Sequence, residues 1–218
     1  MKKTNILLTT MMLGLSVSGL TQFASAQTVD GENSADVIIN GTIGKLDNTD
    51  PDATIPEGSD EWINVTVDTA TAFHTTTASA HKNIESADYS IVNNSGRGVA
   101  VTLNKMDGTP TYVDTLTINA KGNGLATTPA ATKLVNGNAL VDLTSTSTWM
   151  TLANKDGRLN IDTDAASAYA NAATFYYTGT TVANLPADAN EKATAENYTL
   201  TLKFTSIQKD GTTIGVTP

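Results

Sequence analysis

The sequence predicts an all-β protein: an antiparallel β-sandwich, Ig-like or jelly-roll-like, of about nine or ten short strands with long loops and little helix. Three observations carry that expectation. Threonine supplies 38 of the 218 residues; it is β-branched, stiff at its first side-chain torsion, and suits the wet face of a strand. Apolar residues recur at period two with polar alternates, which marks strands buried on one face only. Clusters of Asn, Asp and Gly separate these runs, as turns do in a sandwich.

The strand windows follow in order. Ile63, Val65 and Val67 alternate with Asn64, Thr66 and Asp68. Tyr89 and Ile91 continue the pattern, then Val99, Val101 and Leu103, then Leu116 and Ile118. Further windows lie at Leu140 to Leu143, Trp149 to Leu152 and Thr174 to Thr178. The clearest is the last, where Tyr198, Leu200, Leu202 and Phe204 alternate with Thr199, Thr201, Lys203 and Thr205. Turns are expected at Asn93-Asn94-Ser95-Gly96, where Asn and Gly tolerate positive φ, and at Asp107-Gly108-Thr109-Pro110, Asn136-Gly137-Asn138, Asp156-Gly157 and Asp210-Gly211. Residues 165–172 behind Asp164, and residues 187–196, read as short helices or loops. No repeat and no long linker divides the chain, so residues 27–218 are expected to form one domain.

Residues 1–26 carry the pattern of a secretory signal peptide. Lys2 and Lys3 precede an apolar run from Ile6 to Leu20, and Ala24-Ser25-Ala26 ends it as a small-x-small cleavage signal. Gly14, Ser16, Ser18 and Gly19 interrupt the run, which therefore falls short of a membrane span. Cleavage removes two lysines and no acid, so the net charge moves from −9 to −11. Such an excess of acids argues against a nucleic-acid partner, because phosphate binding needs clustered Lys and Arg. The absence of cysteine excludes disulfides, thiolate metal sites and a cysteine nucleophile. Export without cysteine points to the surface of a Gram-positive bacterium, extracellular and either released or surface-associated. Leu185-Pro186 continues as Ala187-Asp188 rather than as a sortase signal.

Four groups of side chains are candidates for chemistry. Asp50, Asp52 and Glu61 lie in an acidic segment at offsets like those of an EF-hand, and hard oxygens on a loop suit calcium. Ile55 stands where that motif needs Gly, and Pro51 and Pro56 stiffen the segment, so a solvated loop is the alternative. Asp162 and Asp164 form a second, smaller acidic pair. His74, His81 and Glu85 offer three zinc-ligand types at spacings that match no zinc motif, which favours surface histidines. Trp62 and Trp149, as the only tryptophans, are either a sugar-stacking platform or, being in or beside strands, core and rim packing. Tyr176 and Tyr177 must point to opposite faces. No nucleophile elbow, phosphate loop or dinucleotide fingerprint is present, so no enzyme activity is expected.

The segment Ile63-Asn64-Val65-Thr66-Val67, with Phe73, Tyr89-Ser90-Ile91-Val92-Asn93-Asn94-Ser95-Gly96 and Val99 to Leu103, resembles secreted Gram-positive surface proteins of the Trp-x-Leu (WxL) domain type. The terminal strand Tyr198 to Phe204 is similar to the one that closes that domain. In Trp149-Met150-Thr151-Leu152 two residues, not one, separate Trp from Leu. The resemblance implies an all-β, exported protein held non-covalently to the wall beside partner surface proteins. The expected function is thus wall association or adhesion through a cell-wall polymer or a surface protein. Two alternatives stand beside it. One is a fibre or biofilm-matrix subunit that self-assembles by strand addition through residues 35–43, Ala-Asp-Val-Ile-Ile-Asn-Gly-Thr-Ile. The other is a secreted carbohydrate-binding module or hydrolase.

Overall fold

Period-two patterning leaves each strand with one apolar face, and two sheets bury those faces against each other. The computed structural model describes residues 47–144, 147–189 and 192–213. Ten strands fall within them: β1 (Val65–Val67), β2 (Phe73–Thr75), β3 (Asn83–Ser86), β4 (Tyr89–Asn93), β5 (Val99–Gly108), β6 (Val113–Lys121), β7 (Thr132–Asn136), β8 (Met150–Leu152), β9 (Ala172–Thr181) and β10 (Tyr198–Ser206). Every pairing is antiparallel. Helical structure among the described residues is limited to two single 3₁₀ turns, Asp60–Trp62 and Thr77–Ser79. The all-β sandwich is therefore as the sequence predicts. The predicted leader, residues 1–26, and the predicted donor segment, residues 35–43, lie outside the described residues.

The larger sheet is organised around β9. One edge of β9 pairs with β4 over Ala172–Phe175 and then with β3 over Thr178–Thr180, so β3 and β4 lie end to end, interrupted at Ala87 and Asp88. β1 lies outside β4 and β2 outside β3. The other edge of β9 pairs with β6, which carries β7. The smaller sheet has the order β10-β5-β8. Ile84, Ile91, Leu116, Ile118 and Phe175 from the first sheet meet Val101, Leu103, Met150 and Leu152 from the second in one buried cluster. Each such side chain contributes about 1.5–3 kcal/mol by leaving water.

Several expectations change in detail. The Asn93–Gly96 turn links β4 to β5, which belong to different sheets, so it is a corner between layers. Positive φ is not used there. The Asn136-Gly137-Asn138 turn is a tight reversal, with Gly137 at φ 62 and Asn138 at φ 57 and the Asn136 N–H bonded to the Ala139 carbonyl at 2.9 Å. The strand predicted over 140–143 is reduced to one bridge, Val135 to Leu140. Residues 165–171 form turns and bends rather than helix, and 187–189 form a turn.

Candidate functional site

The acidic segment folds onto the corner between the sheets, and one buried arginine fixes it there. Gly96 admits the approach: a Cβ built on it would lie 2.8 Å from the Asp50 carbonyl carbon and oxygen and from Pro51 N. The Gly96 N–H donates to the Asn48 carbonyl at 2.7 Å. Arg97, with its side chain only 3 % exposed, donates from Nε and Nη2 to the two Glu57 oxygens at 3.2 and 2.5 Å. Its Nη1 donates to the Pro51 carbonyl at 2.7 Å, and its guanidinium carbon sits 4.0 Å from the centre of the Trp62 ring. The Arg97 hydrogen bond holds the Glu57 carboxyl below its ordinary value, against an opposing effect of partial burial. Beneath the corner, fully buried Asn93 donates to the carbonyls of Arg97 and Ala153 at 2.8 and 2.7 Å and accepts from the Ser95 N–H at 3.1 Å.

Several residues of the acidic segment take part in building the loop. Asp50 Oδ1 accepts the Asp52 N–H at 3.0 Å, and Asp47 Oδ1 accepts the N–H and hydroxyl of Thr49 at 3.0 and 2.7 Å. Those Thr49 bonds, the hydroxyl's first, lower the Asp47 carboxyl below its usual range. Glu61 donates its N–H to Ser59 Oγ at the start of the 3₁₀ turn. Asp164 Oδ2 accepts the N–H groups of Leu159 and Asn160, while Asp162 pairs with Lys209 at 3.1 Å. His74 is exposed opposite Glu85 in the β2–β3 ladder. His81, at φ 58, places Nδ1 2.9 Å from Thr75 Oγ1. Among the described residues no three His, Asp or Glu side chains gather where they could hold a metal ion. Asp50, Asp52 and Glu61 are thus not brought together, and neither are His74, His81 and Glu85.

Both tryptophans are interior. Trp62 is fully buried and donates Nε1–H to the Pro56 carbonyl at 3.1 Å; Trp149 is 6 % exposed and donates to the Ala130 carbonyl at 3.0 Å. Neither offers a free ring face for sugar. Tyr176 and Tyr177 divide between faces as predicted. Tyr177 turns into the core, where burial raises its phenol, and Tyr176 packs under Lys121, whose Nζ lies 4.1 Å from the ring centre.

The feature that sequence reasoning missed is a cleft of about 1050 Å³ between the sheets. It opens where β10, the last strand of the smaller sheet, passes over β1 and β2 at the border of the larger one. Its walls include Val67, Phe73, Ile84, Tyr177, Leu200 and Leu202, with Phe73 and Tyr198 in ring contact across it at 6.2 Å. Leu200, Leu202 and Phe204 face the core as the alternation predicts, yet they are only half-buried. Among the described residues β10 pairs on one side only, with β5. At one end of the cleft Glu196 accepts the N–H groups of Thr111 and Tyr112 and the Tyr198 hydroxyl, and burial with that carboxylate pushes the Tyr198 phenol upward. The exposure of alternate β10 residues could have been the signal, but a half-buried leucine and a buried one look alike in sequence. No protein-family model matches the chain, and neither does any curated protein or solved structure compared with it.

Proposed function

We propose that the protein is a secreted, non-catalytic bacterial cell-surface protein that associates with the wall or with a surface partner by recognition alone. The cleft beside β10 is the observation that supports this reading. It combines an apolar lining with a strand edge that has no neighbour among the described residues. Those two features are what β-augmentation requires, with backbone hydrogen bonds for affinity and alternate side-chain pockets for selection. Two titratable groups of its lining carry structural bonds: His81 Nδ1 lies 2.9 Å from Thr75 Oγ1, and Glu196 accepts from the Tyr112 N–H and the Tyr198 hydroxyl.

Sedimentation with isolated Gram-positive walls tests the proposal. The secreted chain is expected in the pellet with native walls. Retention on walls stripped of protein would identify a polymer, and loss on stripping a protein partner. A chain that stays wholly soluble with both preparations would refute wall association. The one-sided pairing of β10 also favours a second reading, a fibre subunit that assembles by strand addition. Electron microscopy of concentrated protein checks it, and uniformly monomeric particles would count against it.

A further inference from the structure

We infer that the cavity drawn from residues 155–158 and 166–171 binds an anionic saccharide, with the sugar ring on Tyr169 and its phosphate or carboxylate on Lys155 and Arg158. No residue lines both this cavity and the cleft beside β10, so the site goes beyond the strand-accepting reading and stands apart from it. Its volume is about 560 Å³, within the range of small-ligand sites, about 300–1,000 Å³.

Charge is the first support. The chain has a formal charge of −9, and Arg97, Lys105, Lys121 and Lys209 each pair with a carboxylate. Lys155 and Arg158, on one turn, pair with none among the described residues. Asp156 is the one acid of the lining, and Asp47 feels the Lys155 charge from outside it. Arg158 also makes no side-chain hydrogen bond among the described residues, and its Nε is buried without a partner. A buried donor left unsatisfied is rare in native proteins and needs a reason. Here the guanidinium lies on a cavity wall, where the acid group of a ligand can accept from its terminal N–H groups.

The aromatic ring is the second. Tyr169, at 37 %, is the one large hydrophobic residue that is exposed among the described ones, and it has no ring or cation–π contact there. Such a ring packs against the C–H face of a sugar. The walls around it are fixed. Fully buried Asn154 accepts the N–H groups of Asp156 and Arg158 on Oδ1 at 3.1 and 2.8 Å. The Ser167 N–H donates to the Asp156 carbonyl at 2.7 Å and the Tyr169 N–H to the Gly157 carbonyl at 2.9 Å. Gly157, at φ 77, admits this crossing: a Cβ on it would lie 2.5 Å from Ser167 Cα. Ser167 takes φ 62, a left-handed conformation that is strained for a non-glycine residue and concentrates at ligand sites. Two cations and an aromatic ring are thus presented on walls that need no ordering when the ligand arrives.

Three polymers of matched length test the inference by titration calorimetry with the full secreted chain: a glycosylated polyol-phosphate chain, a polyuronate and a neutral glucan. At least one of the two anionic polymers is expected to bind, less tightly as salt rises, and the glucan is not. A preference for the first identifies phosphate as the acid recognised, and a preference for the second carboxylate; either supports the site. Arg158→Gln is expected to lower the affinity about tenfold, and Lys155→Gln and Tyr169→Ala several-fold. Lys133→Gln, which removes an exposed lysine on β7, should leave it unchanged. Tyr169 is exposed, so its removal reports on binding even if Arg158→Gln disturbs the turn. No binding of either anionic polymer, equal binding of the glucan, or equal losses in Lys133→Gln and Arg158→Gln would each overturn the inference. Sedimentation with walls is a separate readout. Failure of the polymers to bind leaves wall association standing, whereas a chain that binds them but stays soluble with walls loses only that reading.

Discussion

Removing either partner of the Arg97–Glu57 pair tests whether the corner is an electrostatic clamp or only a crossing of loops. A fully buried pair broken from one side costs about 3–5 kcal/mol, and an exposed pair is worth about 0–1 kcal/mol. This pair lies between those limits, since the Arg97 side chain is 3 % exposed and that of Glu57 39 %. Arg97→Met keeps volume under the Trp62 ring but leaves the Pro51 carbonyl without its donor and Glu57 with only the Lys209 N–H, at 2.8 Å. Its expected cost is about 2–3 kcal/mol. Glu57→Ala leaves the guanidinium with the Pro51 carbonyl and the Trp62 ring, and water can enter from the Glu57 side. About 1–2 kcal/mol follows. The double variant should fall short of the sum by about 1–2 kcal/mol, which urea denaturation of the four proteins measures directly.

The same cycle has a pH signature. Arg97 lowers the folded-state carboxyl of Glu57, so its stabilisation is fully present above the ordinary value of 4.5 and is lost as pH falls through the lowered one. The gap between the parent and Glu57→Ala should therefore be constant near neutrality and shrink in acid below about pH 4.5. A coupling under about 0.5 kcal/mol, or a gap that widens in acid, would refute the clamp.

Three further outcomes can be measured on the same preparation. Asn93→Leu should cost about 2–4 kcal/mol in urea midpoint analysis, because the buried Ala153 carbonyl loses the Asn93 amide and the Arg97 carbonyl keeps only the Ser95 hydroxyl; a neutral result would mean that the corner relaxes to water. Gly96→Ala should cost about 1–3 kcal/mol and expose residues 47–62 to limited proteolysis ahead of the sandwich, since the added carbon meets backbone atoms at 2.8 Å. Tryptophan emission should be blue-shifted, resist iodide and stay constant with soluble oligosaccharides; a sugar-dependent change would restore the stacking role for Trp62 or Trp149.

Fold class was legible because a strand exposed on one face writes its burial into alternate residues. Tyr198 to Phe204 and Leu116 to Ile118 show this plainly. The shorter strands escaped for reasons of length and register. β2 and β3 have three and four residues, with one large apolar side chain each, Phe73 and Ile84. β7 buries the adjacent residues Leu134 and Val135, where the register with β6 shifts between Leu116 and Thr117. An alternating window cannot register either case. Helix propensity over 165–171 loses to local geometry, with Ser167 at φ 62 and its N–H bonded to the Asp156 carbonyl.

The candidate site was less legible, and the reason lies in what each part depends on. Acids at ligand-like spacing are a local signal, and the bonds found for three of them are local too: Asp50 accepts from Asp52, Asp47 from Thr49, and Asp164 from Leu159 and Asn160. Arg97 and Glu57 are forty residues apart, and nothing in the linear order links them. The cleft is more remote still, because it results from how far β10 overhangs a sheet whose border strands, β1 and β2, are only three residues long. A nine-residue strand laid over two such short ones cannot bury its whole apolar row.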